Sequence, residues 1–303
     1  MANENGSFTL KRLEARVTLR AGEFAGGGNT KVITGVPLRA RIEKTGPPDF
    51  CKATIEARGL RYEDMEKLST LAFRPLFTAR NAVQIYAGDE ETGLSLAFSG
   101  EITQASADFN AAPDVSFTME AMTGWFGALT PQGPSAIKGA QPAADFIAMQ
   151  AKKLGLSFQN DGVTTSLRNA VFSGSPVAQA RAAARQIGAE LIIDDDSMIL
   201  SPAGGAGAKA GGGRGNAVLL TKNTGLLGYP TLSNEGIELK ALYNPAFRLG
   251  GLVKVESIVP RASGTWRIIK LTHDLAAFDP KGGPWESRMT TFYPSMSGAG
   301  GKL

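Results

Sequence analysis

The sequence predicts a mainly β fold with a small α+β insert, and three observations predict it. In residues 1–126 and again in 216–296, apolar side chains recur two apart over short runs, the period of a strand with one face buried and one wet. Residues 127–202 change to helical spacing with marked starts and stops. Glycine and proline cut the strand-like runs at short intervals, the spacing of a closed or sandwiched antiparallel unit.

Taken in order, Leu13, Ala15, Val17 and Leu19 alternate with Glu14, Arg16, Thr18 and Arg20, while Phe8 and Leu10 lie on the other parity. A bulge near Lys11 and Arg12 would reconcile the two. Val36, Leu38, Ala40 and Ile42 predict a second strand, and Cys51 to Ala57 a third that ends at Gly59. From Tyr62 to Ala72, Met65, Leu68, Leu71 and Ala72 recur at helical spacing, a short helix plugging one end of the sheet. Val83 and Ile85 lead into the polar turn Gly88 to Gly93, and Leu94, Leu96 and Phe98 return, a hairpin.

The insert follows helix grammar. Pro142 opens a helix whose face carries Phe146, Ile147, Met149, Ala151 and Leu154, with Gly155 just past its end. Ser175 caps a second, with Pro176 at its first position, Val177, Ala180, Ala184 and Ile187 inside and Gly188 at the exit. Leu191–Ile193 and Met198–Leu200 flank Asp194, Asp195 and Asp196, a hairpin with an acidic, solvated tip. Residues 203–215, AGGAGAKAGGGRG, predict a flexible linker or loop. Beyond it, Ile237, Leu239 and Ala241 alternate until Tyr243-Asn244-Pro245 stops them. Val253 and Val255 face away from Lys254 and Glu256; Trp266 and Ile268 start a further strand; Ser287, Met289 and Thr291 alternate in the last.

Composition narrows the function. With 43% apolar and 20% charged residues the chain is globular, and no run approaches the roughly 18 apolar residues of a membrane span, so no insertion by itself is expected. The start, MANENGSFTLKR, carries no basic head followed by an apolar stretch, and no secretion signal is expected. One cysteine, Cys51, allows no internal disulfide and, on an apolar parity, reads as a buried small hydrophobe in a protein made in a reducing cytoplasm. Residues 1–86 carry 14 Lys+Arg against 9 Asp+Glu, residues 87–200 carry 6 against 13, and residues 201–303 carry 12 against 6. The basic residues are spread over strand positions, which favours solvated faces or protein–protein complementarity over direct DNA binding.

No catalytic constellation assembles. His273 is the only histidine, which with one cysteine excludes a Cys/His zinc site. His273 and Asp274 could pair as acid and base, but neighbours on a strand point to opposite faces, so His273 reads as a structural or rim histidine. The aspartates at 194–196 match no calcium-loop spacing. Gly213-Arg214-Gly215-Asn216 lacks the ending of a phosphate-binding loop. No pair of carboxylates is singled out for glycoside hydrolysis. Catalytic, cofactor-binding and metal-binding residues are all expected to be absent.

Two stretches carry a resemblance. TGLLGYPTLSNEGIELKALYNPAFRLGGLVKVES, GTWRIIKLTHDLAAF and GPWESRMTTFYP at the C-terminal end, and QIYAGDEETGLSLAFSGEITQASADFNAAPDVSFTMEAMTGW over Gln84–Trp125, resemble the baseplate hub proteins of contractile-tailed bacteriophages. These are the Mu-like or late control D-like hubs, related to the N-terminal hub part of type VI secretion spikes. The resemblance implies an N-terminal antiparallel β-barrel at 1–126, a lysin-motif-like insert at 127–202, the glycine-rich connection at 203–215, a similar second barrel at 216–296 and a flexible tail at 297–303. It further implies a homotrimer in the virion's tail baseplate, assembled in the host bacterial cytoplasm. Pseudo-six-fold barrels would adapt the hexameric tail tube, or a tube-initiator protein, to the trimeric central spike. Baseplate wedge proteins would be further partners, the tape measure protein another candidate, and DNA only passing cargo. The alternatives are a peptidoglycan-binding protein or wall hydrolase, and the hub of a phage-derived injection machine.

Overall fold

Wherever one parity is apolar, the N-terminal alternation becomes a strand. The computed structural model describes residues 9–24, 26–69, 81–112, 114–202, 217–234, 236–280 and 282–292. The expected linker at 203–215, the tail at 297–303, Phe8 and the end of the helix expected to reach Ala72 lie outside those residues. Strands β1 (Lys11–Thr18), β2 (Thr30–Ile33), β3 (Leu38–Thr45), β4 (Lys52–Arg58), β5 (Ala82–Asp89), β6 (Gly93–Asp108) and β7 (Ser116–Met122) form the first set, with helix α1 (Tyr62–Leu68) after β4. In β3, Leu38, Ala40 and Ile42 are buried and Arg39 and Arg41 exposed, as expected for a sheet with one wet face.

One expectation here needs correction. No bulge occurs near Lys11: β1 pairs with β5 in unbroken register from Lys11 opposite Asp89 to Thr18 opposite Ala82. Leu10 is exposed instead, a single apolar side chain on the surface. The bulges of this set lie on β6, between Ile85 and Tyr86 of the β5 ladder and between Ile102 and Gln104 of the β7 ladder, where a long strand must bend to serve two neighbours.

The middle of the chain packs its own apolar cluster. After α2 (Trp125–Leu129) come β8 (Gln132–Ala136), β9 (Ala140–Pro142), α3 (Ala143–Leu154), β10 (Ser157–Asn160), β11 (Ser166–Arg168), β12 (Val171–Gly174), α4 (Pro176–Gln186), β13 (Ala189–Asp194) and β14 (Ser197–Pro202). Helix α3 ends at Gly155 in the left-handed conformation, φ +71°, as a helix stop requires. Ser175 caps α4 by accepting from the Ala178 N–H at 3.2 Å. Phe146, Ile147 and Ala151 face inward with Phe172, whose ring centroid is 5.0 Å from that of Phe146. Met149, expected on this face, is exposed. Gln150 and Gln179, both fully buried, join the two helices through an amide hydrogen bond at 3.3 Å.

The C-terminal strands are β15 (Val218–Leu220), β16 (Thr231–Leu232), β17 (Gly236–Leu242), β18 (Leu252–Val255), β19 (Gly264–Ala277) and β20 (Trp285–Phe292). Strand β19, 14 residues long, decides the architecture. Its first part pairs with β18, from Val255 opposite Gly264 to Leu252 opposite Arg267. Its second part pairs with β3, from Lys270 opposite Thr45 to Ala277 opposite Leu38. The handover falls at a bulge between Ile268 and Lys270, where Ile269 is the extra residue against β20. Both ends of the chain therefore share one 13-stranded sheet, ordered β16-β17-β20-β19-β3-β4-β7-β6-β5-β1-β2, with β18 also on β19 and β15 parallel to β18. Among the described residues this path is open, and no pairing closes either strand set into a barrel.

Candidate functional site

Where the three parts of the chain meet, Lys44, Asp194 and Asp195 are buried together and the half-exposed Arg248 stands beside them. The Lys44 side chain continues the buried parity of Leu38, Ala40 and Ile42. Its Nζ stands 2.8 Å from Asp194 Oδ1 and 2.8 Å from Asp195 Oδ2. The second contact is a hydrogen bond; Asp194 Oδ1 is held by charge without a well-directed donor. Asp195 also accepts from the Ser99 N–H at 3.1 Å, and Arg248 Nη1 lies 3.7 Å from its Oδ2. One carboxylate thus touches β3, β6 and the loop before β18.

The expectation of a solvated acidic tip is overturned. Asp194 and Asp195 are each 5% exposed, and only Asp196 faces solvent. Asp195 takes φ +53°, a left-handed conformation that Asp tolerates better than most residues. The tip turns inward because a buried ammonium needs compensating charge. Burial pulls the Lys44 pKa down, but the combined attraction of Asp194 and Asp195 outweighs it and leaves the group above its ordinary value. Burial, reinforced by the neighbouring Asp194 charge, holds the Asp195 carboxyl above the usual carboxylate range despite Lys44.

His273 lies on the same inner face. Its Nδ1 is 2.8 Å from Ser287 Oγ, and its ring meets Tyr243 edge-on at 5.0 Å. Burial, with the nearby Lys44 charge, lowers its pKa to about 3, so the imidazole is neutral. Asp274 faces the other way, 3.8 Å from Arg41 Nη1, and no acid–base pair forms with His273. Burial pushes the Cys51 thiol up to about 12, its Sγ 3.4 Å from the Ile193 carbonyl, which leaves it an inert core thiol. Lys44, Asp194, Asp195 and Arg248 balance in charge around a packed interior, an arrangement suited to fastening segments together.

Two further links clamp the insert. Arg267 Nη2 donates to Glu190 Oε2 at 2.9 Å, tying β19 to β13. Arg181 Nη2 donates to the Asp49 carbonyl at 3.1 Å and its guanidinium carbon lies 4.5 Å from the Phe50 ring centroid, tying α4 to the β3–β4 loop. Sequence reasoning singled out His273 and the aspartates but missed Lys44, Arg248, Arg267 and Arg181. Lys44 was signalled by its place on an apolar parity; the arginines sit at positions no local pattern distinguishes.

The profile of the baseplate hub gp41 family matches residues 14–281, most of the chain and all three meeting parts. The chain belongs to the baseplate hub gp41 family. No curated protein sequence matches it. Among solved structures, this baseplate hub family member is similar to the 43 kDa tail protein of prophage MuSo2 from Shewanella oneidensis, at 11% identity and TM-score 0.60, covering 95% of this chain and 97% of that one. It is also similar to a tail protein from Neisseria meningitidis MC58, at 6% identity and TM-score 0.61, covering 92% and 96%. An Escherichia coli component of the type VI secretion system, described as structurally similar to T4 bacteriophage tail proteins gp27 and gp5, shares the fold at 10% identity and TM-score 0.53, covering 91% and 76%. At these identities the likeness is one of fold. The hub family is one of structural tail components.

Proposed function

We propose that the chain is a symmetry adaptor of the tail baseplate. Three copies form a ring whose two strand sets per subunit present six pseudo-equivalent surfaces to the tail tube or its initiator. The trimeric central spike sits on the opposite face, baseplate wedge proteins are further partners with the tape measure protein another candidate, and the lined channel passes DNA. The observation that carries this reading is the shared sheet: hydrogen bonding between β19 and β3 sets strands from both ends of the chain side by side in one subunit. Short edge strands also support it. β2 and β16 end the sheet path, with Val32 and Leu232 exposed on them, edges that a neighbouring copy can extend. The domain limits 1–126, 127–202 and 216–296, and the lysin-motif-like character of the insert, belong to the same proposal.

Native mass spectrometry of the chain alone and with tube and spike proteins tests it. A trimer that assembles with both is expected, and electron microscopy should then show the two strand sets superposing in a six-fold ring. A chain that stays monomeric beside both partners overturns the proposal. The likeness to a type VI secretion component extends the same mechanics to a phage-derived injection machine, distinguished by which tube protein the trimer binds.

A further inference from the structure

Between helix α4, the β3–β4 loop and the paired strands β19 and β20 lies a groove of about 950 Å³, at the upper end of the range for small-ligand sites. Much of its lining is apolar, with Pro48, Phe50, Val177, Leu191, Ile269 and Phe292. Ile269 is the extra residue of the β19 bulge, and bulges re-aim side chains at functional surfaces.

The groove also holds cationic groups that the chain leaves incompletely bonded. Arg267 is 6% exposed, and while its Nη2 reaches Glu190, its Nε is buried with no hydrogen-bond partner among the described residues. Arg181 is in the same condition: Nη2 donates to Asp49, but Nε is buried without a partner. A buried donor without an acceptor costs free energy, and burial holds the Arg181 guanidinium below its ordinary range. Arg185 on the same wall is exposed. Three guanidinium groups therefore line the groove with one carboxylate, Glu190, among them.

We propose that this groove docks an acidic, apolar segment of a partner protein: an Asp or Glu between bulky apolar residues. Its carboxylate pairs with the exposed Arg185 and half-buried Arg181 guanidinium groups, and its apolar residues cover Phe50 and Ile269. Charge complementarity selects this occupant, since guanidinium groups pair with carboxylates in directed, charge-assisted bonds. The inference goes beyond the adaptor reading and does not require a trimer.

The test is fluorescence anisotropy with the full chain and three labelled nonapeptides, alternating Leu with Asp, with Asn or with Lys, while sedimentation records the mass. The Asp peptide is expected to bind at least tenfold more tightly than the other two. Ala178→Trp, which fills the groove from an exposed position on α4, and Arg185→Glu should each weaken it at least tenfold without changing thermal unfolding. Equal binding of the Asp and Asn peptides, no binding, or binding indifferent to Ala178→Trp overturns the proposal. So does a fall in mass on Ala178→Trp, which would make the groove an interface between copies. A chain that binds the Asp peptide selectively but stays monomeric beside tube and spike proteins would sink the adaptor reading and leave the groove standing.

Discussion

Lys44 is the residue on which the junction turns. Replacing it with Met leaves the buried Asp194 without a counter-charge and Asp195 with only the half-exposed Arg248, and removing one partner of a buried pair costs about 3–5 kcal/mol. Urea denaturation followed by tryptophan fluorescence should show a loss of that size for Lys44→Met. Adding Asp194→Asn and Asp195→Asn should recover most of it, because neutral amides need no ammonium. His273 makes a pH prediction. The unfolded imidazole binds a proton below about pH 6.5, whereas the folded one stays neutral to about pH 3. Its contribution is therefore complete above pH 6.5 and is lost as the pH falls toward 3, by up to about 5 kcal/mol. Asp195, raised when folded, works the other way, since the folded state takes up its proton first and so gains on acidification. The larger His273 effect should dominate, with melting temperature falling from pH 7 to pH 4, and His273→Gln should flatten that limb. An acid limb unchanged in His273→Gln would assign it to other groups.

At the scale of elements, local grammar was readable where one physical rule dominates. The cap at Ser175, the stop at Gly155 and the alternation of Ser287, Met289 and Thr291 all stand in the structure as their residue types dictate. Bulge positions were not readable, because a bulge is set by the partner strand: the one expected near Lys11 is absent, while the one at Ile269 serves a handover between two different neighbours. Short β2, pairing with β1 across a glycine-rich turn, was missed because four residues carry too little periodicity. Close backbone approach yields a further prediction. A Cβ on Gly236 would lie 2.1 Å from the Thr291 carbonyl oxygen, so Gly236→Ala should force the start of β17 away from β20. Hydrogen exchange should quicken at Ile237–Leu239 while β3 and β4 keep their protection; uniform exchange rates matching the parent chain would refute the clash.

For the whole molecule, the contacts of Asp195 and the shared sheet couple all three parts. The cluster around Leu13, Ile42 and Phe98 also takes in Ile192 and Ile199 from the insert hairpin, Leu249 from the loop before β18 and Leu275 from β19. Chains of this length commonly unfold domain by domain. Here the interlocked core predicts a single calorimetric transition for the described parts, and Asp194→Ala with Asp195→Ala should split it by removing the hairpin's polar ties to Lys44 of β3 and Ser99 of β6. Two resolved transitions in the parent chain would show that the parts unfold independently.

The amino-acid sequence by itself determined the β-rich ends, the helices between them, the absence of a paired histidine site and the hub resemblance. Each of these rests on periodicity, residue type or the order of parts, which a linear pattern carries. Tertiary structure decided that β19 bridges to β3, that Asp194 and Asp195 turn inward onto Lys44, and that arginines from α4 and β19 line one groove. Those outcomes depend on which segments meet across long stretches of chain, and on the cost of leaving a buried charge unpaired.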